Sequence, residues 1–252
     1  MPSLQGKVIV VAGAGSGIGR GTAMRLANDG ADVVVGDLSL DAAAAVARQI
    51  TAAGGSAIPA AFDMRDDASI AALIGAAVES FGGLDGVHVN AADIRASELD
   101  GDVLSLDMDI FDRTIAVNLR GHVLCTRHAL PHLLARGGGA LVYTTSAAAF
   151  LGDRKRVSYG ISKSGLNALM RHVASRWGKE GIRSNSIAPG LVMTEATDSW
   201  PAKHLEFALN GHRSPRLGQP ADIAGMVAFL MSQDGEWVNG QVLSVDGGAT
   251  MR

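Results

Sequence analysis

The sequence predicts an α/β fold: a doubly wound parallel sheet with helices on both faces, in a single domain. Three observations lead there. Short Val-, Ile- and Ala-rich runs alternate along the whole chain with longer stretches of helical, Ala/Leu-rich pattern. The short runs lack polar alternation, as strands buried on both faces do. The chain has 252 residues and 47% hydrophobic content, enough for one large core without a second.

The elements follow in order. Residues 7–12 are an apolar run, read as a buried strand, and the glycine-rich segment behind it opens a helix over 17–28. Residues 32–36 are a second strand, and the alanine-rich 41–52 a helix with Ser39 as its N-cap. Residues 57–61 form a third strand, 67–81 a helix and 84–89 a fourth strand. A long helical region is expected over 110–135, a fifth strand over 140–144 and a helix over 158–179. Residues 182–187, 220–231 and 242–245 complete the pattern as strand, helix and strand. Right-handed crossovers between parallel strands then give the doubly wound, Rossmann-like arrangement.

Two stretches break this rhythm. Residues 93–109 are acidic and irregular, and 194–218 carry Trp200, His204, Phe207 and Leu209. Neither has linker composition. One domain over 1–252 is expected, with 194–218 as a loop over the substrate.

Net charge is −3, the isoelectric point about 6.1, and the aromatic share 4%. Cationic residues are scattered, so neither nucleic acid nor an anionic membrane is an expected partner. The single cysteine, Cys125, reads as a small buried apolar residue, and its solitude fits a reducing compartment. Residues 1–7 lack the ordered regions of a signal peptide, and no apolar run reaches the length of a membrane span. A cytoplasmic protein is expected.

The motifs carry more chemistry. Gly13-Ala14-Gly15-Ser16-Gly17-Ile18-Gly19 follows the first strand and opens the first helix. Glycines there permit a tight turn and let backbone N–H groups approach a pyrophosphate, and the helix N-terminus adds partial positive charge. Asp37 ends the second strand, where a carboxylate accepts from ribose hydroxyls and repels a 2′-phosphate. Leu38 follows it, with no cation in the glycine loop before Arg20. This favours NAD over NADP. Asp63-Met64 after the third strand and Asn90-Ala91-Ala92 after the fourth stand at strand carboxyl ends, where ligands bind in open α/β sheets.

Tyr159 and Lys163 are four residues apart, on one face of a helix, with Ser146 upstream. An ammonium about 4 Å from the phenol, at an effective dielectric of about 20, favours the phenolate by roughly 4 kcal/mol. That corresponds to roughly three pKa units, enough for acid/base work near neutrality.

Together these residues resemble the short-chain dehydrogenase/reductase family in its compact, single-domain, NAD-preferring form. The resemblance runs from Lys7 to Gly248 and rests on the ordered set of the glycine loop at 13–19, Asn90-Ala91, Asn118, Ser146, Tyr159-x-x-x-Lys163 and Pro189-Gly190. It implies Tyr159 as general acid/base, Lys163 on the nicotinamide ribose and Ser146 on the substrate oxygen. Asn118 is implied to support a water relay from Lys163. Pro189, Gly190, Val192 and Thr194 are implied to line the nicotinamide end. The implied reaction moves a hydride between NAD(H) and a secondary alcohol or ketone, in a homotetramer. A reductase of thioester-linked 3-ketones and a non-catalytic NAD-sensing protein are the alternatives. The chain departs from the family pattern at Ala12, which replaces a usual threonine, at Val89-Asn90-Ala91-Ala92, where the family's motif reads Asn-Asn-Ala-Gly, and at Asp93 beside that site.

Other signals weigh less. His128 and His132 share a helix face but lack a third metal ligand. Arg154-Lys155-Arg156 reads as a solvated turn or as an attractor of an anionic group. Trp200, His204 and Phe207 read equally as an apolar lid or as packing residues. Met193 reads as a space-filler.

Overall fold

The structure, a computed structural model, describes residues 3–251. Its strands are β1 (Val8–Ala12), β2 (Asp32–Asp37), β3 (Ser56–Ala61), β4 (Gly86–Val89), β5 (Gly139–Thr144), β6 (Ile182–Pro189) and β7 (Val242–Val245). They form one parallel sheet in the order β3-β2-β1-β4-β5-β6-β7. The helices are α1 (Gly17–Asn28), α2 (Leu40–Ala52), α3 (Asp67–Phe81), α4 (Ile94–Leu99), α5 (Met108–Ile115), α6 (Gly121–Ala135), α7 (Val157–Trp177), α8 (Ala202–Gly211) and α9 (Pro220–Met231).

The missing polar alternation has its cause in two cores, one on each face of the sheet. Ile9, Val11, Val33 and Val35 pack with Leu26, Val46, Ile50, Ile223 and Val227. Val8, Val10 and Val34 pack with Leu73, Ile74, Leu124, Leu133 and Met170 on the other side. Each such side chain, fully buried, contributes about 1.5–3 kcal/mol. Ser39 caps α2 as expected, accepting from the Ala42 amide at 3.3 Å. Among the described residues no helix is long and apolar enough to cross a membrane.

Three expectations need correction. The region 110–135 is not one helix: α5 ends at Ile115, a π-helical turn spans Ala116–Arg120, and α6 begins at Gly121. Such turns widen a helix by one residue and recur at functional sites. Here the turn carries the buried Asn118. Residues 93–109 are not irregular throughout. Their acidity is capping chemistry: Asp93 accepts from the Ala96 amide at the start of α4, and Asp107 from the Asp109 amide at the start of α5. The segment 194–218 contains α8, none of whose residues is fully buried; its half-buried Leu205, Ala208 and Leu209 form only a short apolar stripe.

The chain runs outward from β1 through β2 to β3, then returns to β4 on the other side of β1. The switch point therefore lies between the carboxyl ends of β1 and β4, where the turns diverge and leave a crevice.

Candidate active site

Ala12 pairs with Val89 in the sheet, so the residues after β1 and β4 emerge together. The Asn90 and Ala91 amides both donate to Ala12 O, at 2.9 and 2.8 Å. Asn90 Nδ2 donates to Gly13 O at 2.9 Å. Gly13 has φ +87°, and a Cβ there would lie 2.6 Å from Ala91 Cα. A Cβ on Gly19 would lie 1.8 Å from Gly13 O. The loop is this tight only because these positions lack side chains. Asp37 props it from the second strand: Oδ2 accepts from the Gly15 amide at 2.8 Å and Oδ1 from the Ser39 amide at 3.1 Å. Carboxylate oxygens accept more than one bond, so Asp37 retains capacity for a ribose hydroxyl. Leu38 beside it is exposed.

Ser16 is the N-cap of α1, yet its side chain makes no capping bond, leaving first-turn N–H groups for another acceptor. Ile18 is half-buried behind the loop. Asp63 takes the Arg65 guanidinium, which holds its carboxyl below the usual carboxylate range. The Met64 side chain belongs to the core, with its sulfur 3.8 Å from Cys125 Sγ. Only Asp63 and the backbone there are left to meet a ligand. Ala92 is half-buried ahead of Asp93.

The second group of residues sits where α7 begins. The buried Asp100 accepts from Ser158 Oγ at 2.9 Å and from the Tyr159 amide at 3.0 Å. It thereby caps α7 from 59 residues away and fixes the turn that carries Tyr159. Lys163, 1% exposed, donates from Nζ to Thr144 O at 2.8 Å. The Thr144 hydroxyl donates to Asn90 Oδ1 at 3.0 Å and so must accept from His88 Nε2 at 2.8 Å. A ladder of side chains, His88–Thr144–Asn90, thus ties the strand ends to the Gly13 carbonyl, and Thr144 also anchors the lysine. Burial pulls the His88 pKa down to about 3, so this imidazole is neutral. His122 is lowered too, by burial first and by the Lys163 charge second.

Ser146 is half-buried and accepts from the Ala148 amide at 3.1 Å, and its hydroxyl favours the ionised form of the Tyr159 phenol. Asn118 Oδ1 accepts from the Asp93 amide at 2.8 Å, while its buried Nδ2 has no hydrogen-bond partner in the chain. Asp93 also holds Arg113, which accounts for this residue beside the site.

The electrostatics differ from the simple lysine–phenol expectation. Lys163 Nζ is 5.6 Å from the Tyr159 ring centroid and is engaged by Thr144. Burial raises the Tyr159 pKa, opposed by the Ser146 hydrogen bond and then by the Arg156 charge. Burial lowers Lys163 to about 8. The phenol of the free chain is therefore protonated at neutral pH, and the lysine does not ionise it. Arg156 supplies what the sequence did not reveal. Its backbone is left-handed at φ 56°, the one positive-φ residue other than glycine among those described. Its guanidinium lies 5.9 Å from the Tyr159 ring centroid, and it pairs with Asp153. Arg154 and Lys155 are exposed.

The third group follows β6. Pro189 ends the strand, and a Cβ on Gly190 would lie 3.0 Å from Asp246 Cα. Val192 forms an isolated bridge with Gly218, and the Thr194 amide donates to Thr197 Oγ1 at 2.9 Å. Thr194 Cγ2 would lie 3.2 Å from a Cβ on Gly17, so this segment abuts the glycine loop. Met193 lies against Thr197, whose hydroxyl is 3.9 Å from its sulfur. His204 and Phe207 are exposed, Phe207 at 82%, while Trp200 is 36% exposed. His128 pairs with Asp67 of α3 rather than with His132. Cys125 is buried and its thiol is pushed up to about 12, which makes it unreactive.

Residues 13–250 match a family model described as enoyl-(acyl carrier protein) reductase. The chain is 41% identical over 98% of its length to a probable short-chain type dehydrogenase/reductase of Bradyrhizobium diazoefficiens, covering 89% of that protein. It is 39% identical to a cis-4-hydroxycyclohexanecarboxylate dehydrogenase of Sinomonas cyclohexanicum, over 97% of this chain and 96% of the other. It is 32% identical to a 7alpha-hydroxysteroid dehydrogenase of Bacteroides fragilis, over 100% of this chain and 97% of the other. A solved 7 alpha-hydroxysteroid dehydrogenase in complex with NADH and 7-oxo glycochenodeoxycholic acid superposes with a TM-score of 0.92 at 33% identity, covering 99% of this chain and 96% of that one.

Proposed function

The chain belongs to the short-chain dehydrogenase/reductase family, and from that premise we propose that it is an NAD(H)-dependent enzyme interconverting a secondary alcohol and its ketone, with Tyr159 as the general acid/base. One observation carries the reading. Tyr159, Ser146 and the lysine anchored on Thr144 converge beside the glycine loop at the carboxyl ends of the strands. The glycine cradle, the first-turn N–H groups that Ser16 leaves uncapped and the carboxylate of Asp37 fit a dinucleotide.

NAD(H), when bound, supplies the hydride acceptor for oxidation and the donor for reduction. The protein supplies placement and protons. Ser146 positions the substrate oxygen and stabilises charge that develops on it. Tyr159 takes the alcohol proton in oxidation and returns it in reduction. Lys163, held through Thr144 O, is the residue that would hold the nicotinamide ribose. Asn118, with its unpartnered Nδ2, orders the path by which Lys163 exchanges protons with solvent. Pro189, Gly190, Val192 and Thr194 border the nicotinamide end, and residues 194–218 cover the substrate.

Two relatives are named for ring alcohols, a hydroxysteroid and a hydroxycyclohexanecarboxylate, which supports a cyclic secondary alcohol as substrate class. The homotetramer that the reading includes has the helices around 110–135 and 158–179 as its candidate contacts. The test is a panel of cyclic and open-chain alcohols, their ketones and a carrier-bound 3-ketone, followed by nicotinamide absorbance with NAD(H) and NADP(H). NAD-linked turnover of a free cyclic alcohol is expected. Turnover of the carrier-bound ketone alone would transfer the site to thioester chemistry, and tight NAD binding with no turnover would make it a sensor.

Asp37→Ala is expected to narrow the ratio of kcat/KM values for NAD over NADP by about tenfold, the worth of one charge-assisted hydrogen bond and one repulsion. A wild-type enzyme that prefers NADP overturns the role of Asp37. The pH dependence has a definite sign. Burial holds Tyr159 protonated, and oxidation needs the phenolate. Oxidative kcat/KM therefore rises with pH from neutral into the alkaline range, while reduction, which uses the phenol, does not rise. Profiles measured in both directions check this, and a flat oxidative profile contradicts Tyr159 as the base.

A further inference from the structure

The N-terminus of α1 is already occupied by an anion of the chain's own. Glu195 reaches across from the segment after β6, and its Oε2 accepts from the Gly17 amide at 3.0 Å. Its other oxygen, Oε1, pairs with Arg20 NH2 at 2.6 Å. Gly17 is the first residue of α1, and Ser16 leaves its amide unserved. The carboxylate therefore caps the helix from 178 residues away, at the end where the loop's N–H groups converge. A hydrogen-bonding anion attracted to these donors is what a dinucleotide pyrophosphate also offers.

We infer that Glu195 is an internal competitor for the cofactor's phosphates: it closes the glycine loop in the free protein and must leave when the dinucleotide enters. The inference rests on the dinucleotide reading of the loop. Two negative groups cannot share the Gly17 N–H, so each molecule of cofactor bound displaces one carboxylate. Apparent affinity falls by the fraction of molecules in which the loop is closed. The glutamate and Arg20 are both partly exposed, at 46% and 41%, so the ion pair is screened and the contact can open. Thr194, next to Glu195, abuts the same glycine.

Direct binding of NADH, ADP and adenosine to the full chain tests this, by calorimetry on the wild type, Glu195→Ala and Glu195→Gln. Removing the carboxylate is expected to tighten NADH and ADP by about fivefold or more, with adenosine, which carries no phosphate, unchanged. Gln, neutral but of the same shape, is expected to fall between wild type and Ala. The ligand-free Ala variant is expected to melt below the wild type, because α1 loses its cap, and to show a larger NADH-induced rise in Tm. Equal or weaker NADH binding by Glu195→Ala, with wild-type binding intact, overturns the competitor role and leaves a plain helix cap. Failure of wild type and variants alike to bind NADH overturns the dinucleotide reading beneath it.

Discussion

Tyr159→Phe is expected to lower kcat by about 10³-fold in both directions while NADH affinity stays within about threefold of wild type. The substitution is clean for a structural reason. The Asp100 cap on α7 holds the Tyr159 amide, not its hydroxyl. The ring stays under the Arg156 guanidinium, Lys163 stays on Thr144 O, and Ser146 keeps the Ala148 amide. What disappears is one hydroxyl that must both hold and release a proton, and neither Ser146 nor Lys163 replaces it. Ser146 has a hydroxyl of much higher pKa, and the ammonium is 5.6 Å from the ring centroid. Steady-state kinetics with calorimetry of NADH separate chemistry from binding. Retained turnover within tenfold of wild type would remove Tyr159 from the acid/base role. Loss of NADH binding in the same measure as kcat would make it a cofactor contact instead.

The α/β order was legible because strands such as β1 write their two-sided burial as an unbroken apolar run, even though β6 buries Ser184, Asn185 and Ser186 among its apolar residues. The helix break at Ala116–Arg120 was not, since a π turn keeps the apolar content of its flanks and changes only the hydrogen-bond partner of the backbone. Nor was α8, because its apolar stripe is only the half-buried Leu205, Ala208 and Leu209, too short to stand out in the sequence. In the site, the four-residue spacing of Tyr159 and Lys163 was enough to find the pair. The energetics were not in that spacing. They depend on Thr144 claiming the lysine, on burial of both groups, and on an arginine in left-handed backbone. Asp100 and Glu195 were invisible for a related reason. Each acts on an amide 59 or 178 residues away, and a lone carboxylate in an acidic or irregular stretch carries no local mark of its partner.

The same distinction predicts how the glycine loop fails. Gly19→Ala is expected to abolish measurable dinucleotide binding, weakening it by more than about 100-fold, and to destabilise the fold by about 1–3 kcal/mol. The added methyl would sit 1.8 Å from Gly13 O and 2.9 Å from Asn90 Nδ2, and no rotamer change relieves a contact with a backbone carbonyl. Either α1 shifts away from the sheet or the Gly13 carbonyl turns. Turning it breaks the Asn90 bond, and with it the ladder through Thr144 to which Lys163 is tied. The disturbance reaches, through Asn90 and the Thr144 hydroxyl, the residue whose main-chain carbonyl holds Lys163. Gly75→Ala is the control: it lies inside α3 with only the Glu79 carboxylate within 4 Å, at 3.9 Å, and exchanges a poor helix former for the best. It is expected to gain up to about 1 kcal/mol and leave NADH affinity untouched. Thermal unfolding and NADH titration of the two variants decide the matter. Normal binding by Gly19→Ala would mean that the loop yields at this point and that the Gly13–Asn90–Thr144 connection does not hold it.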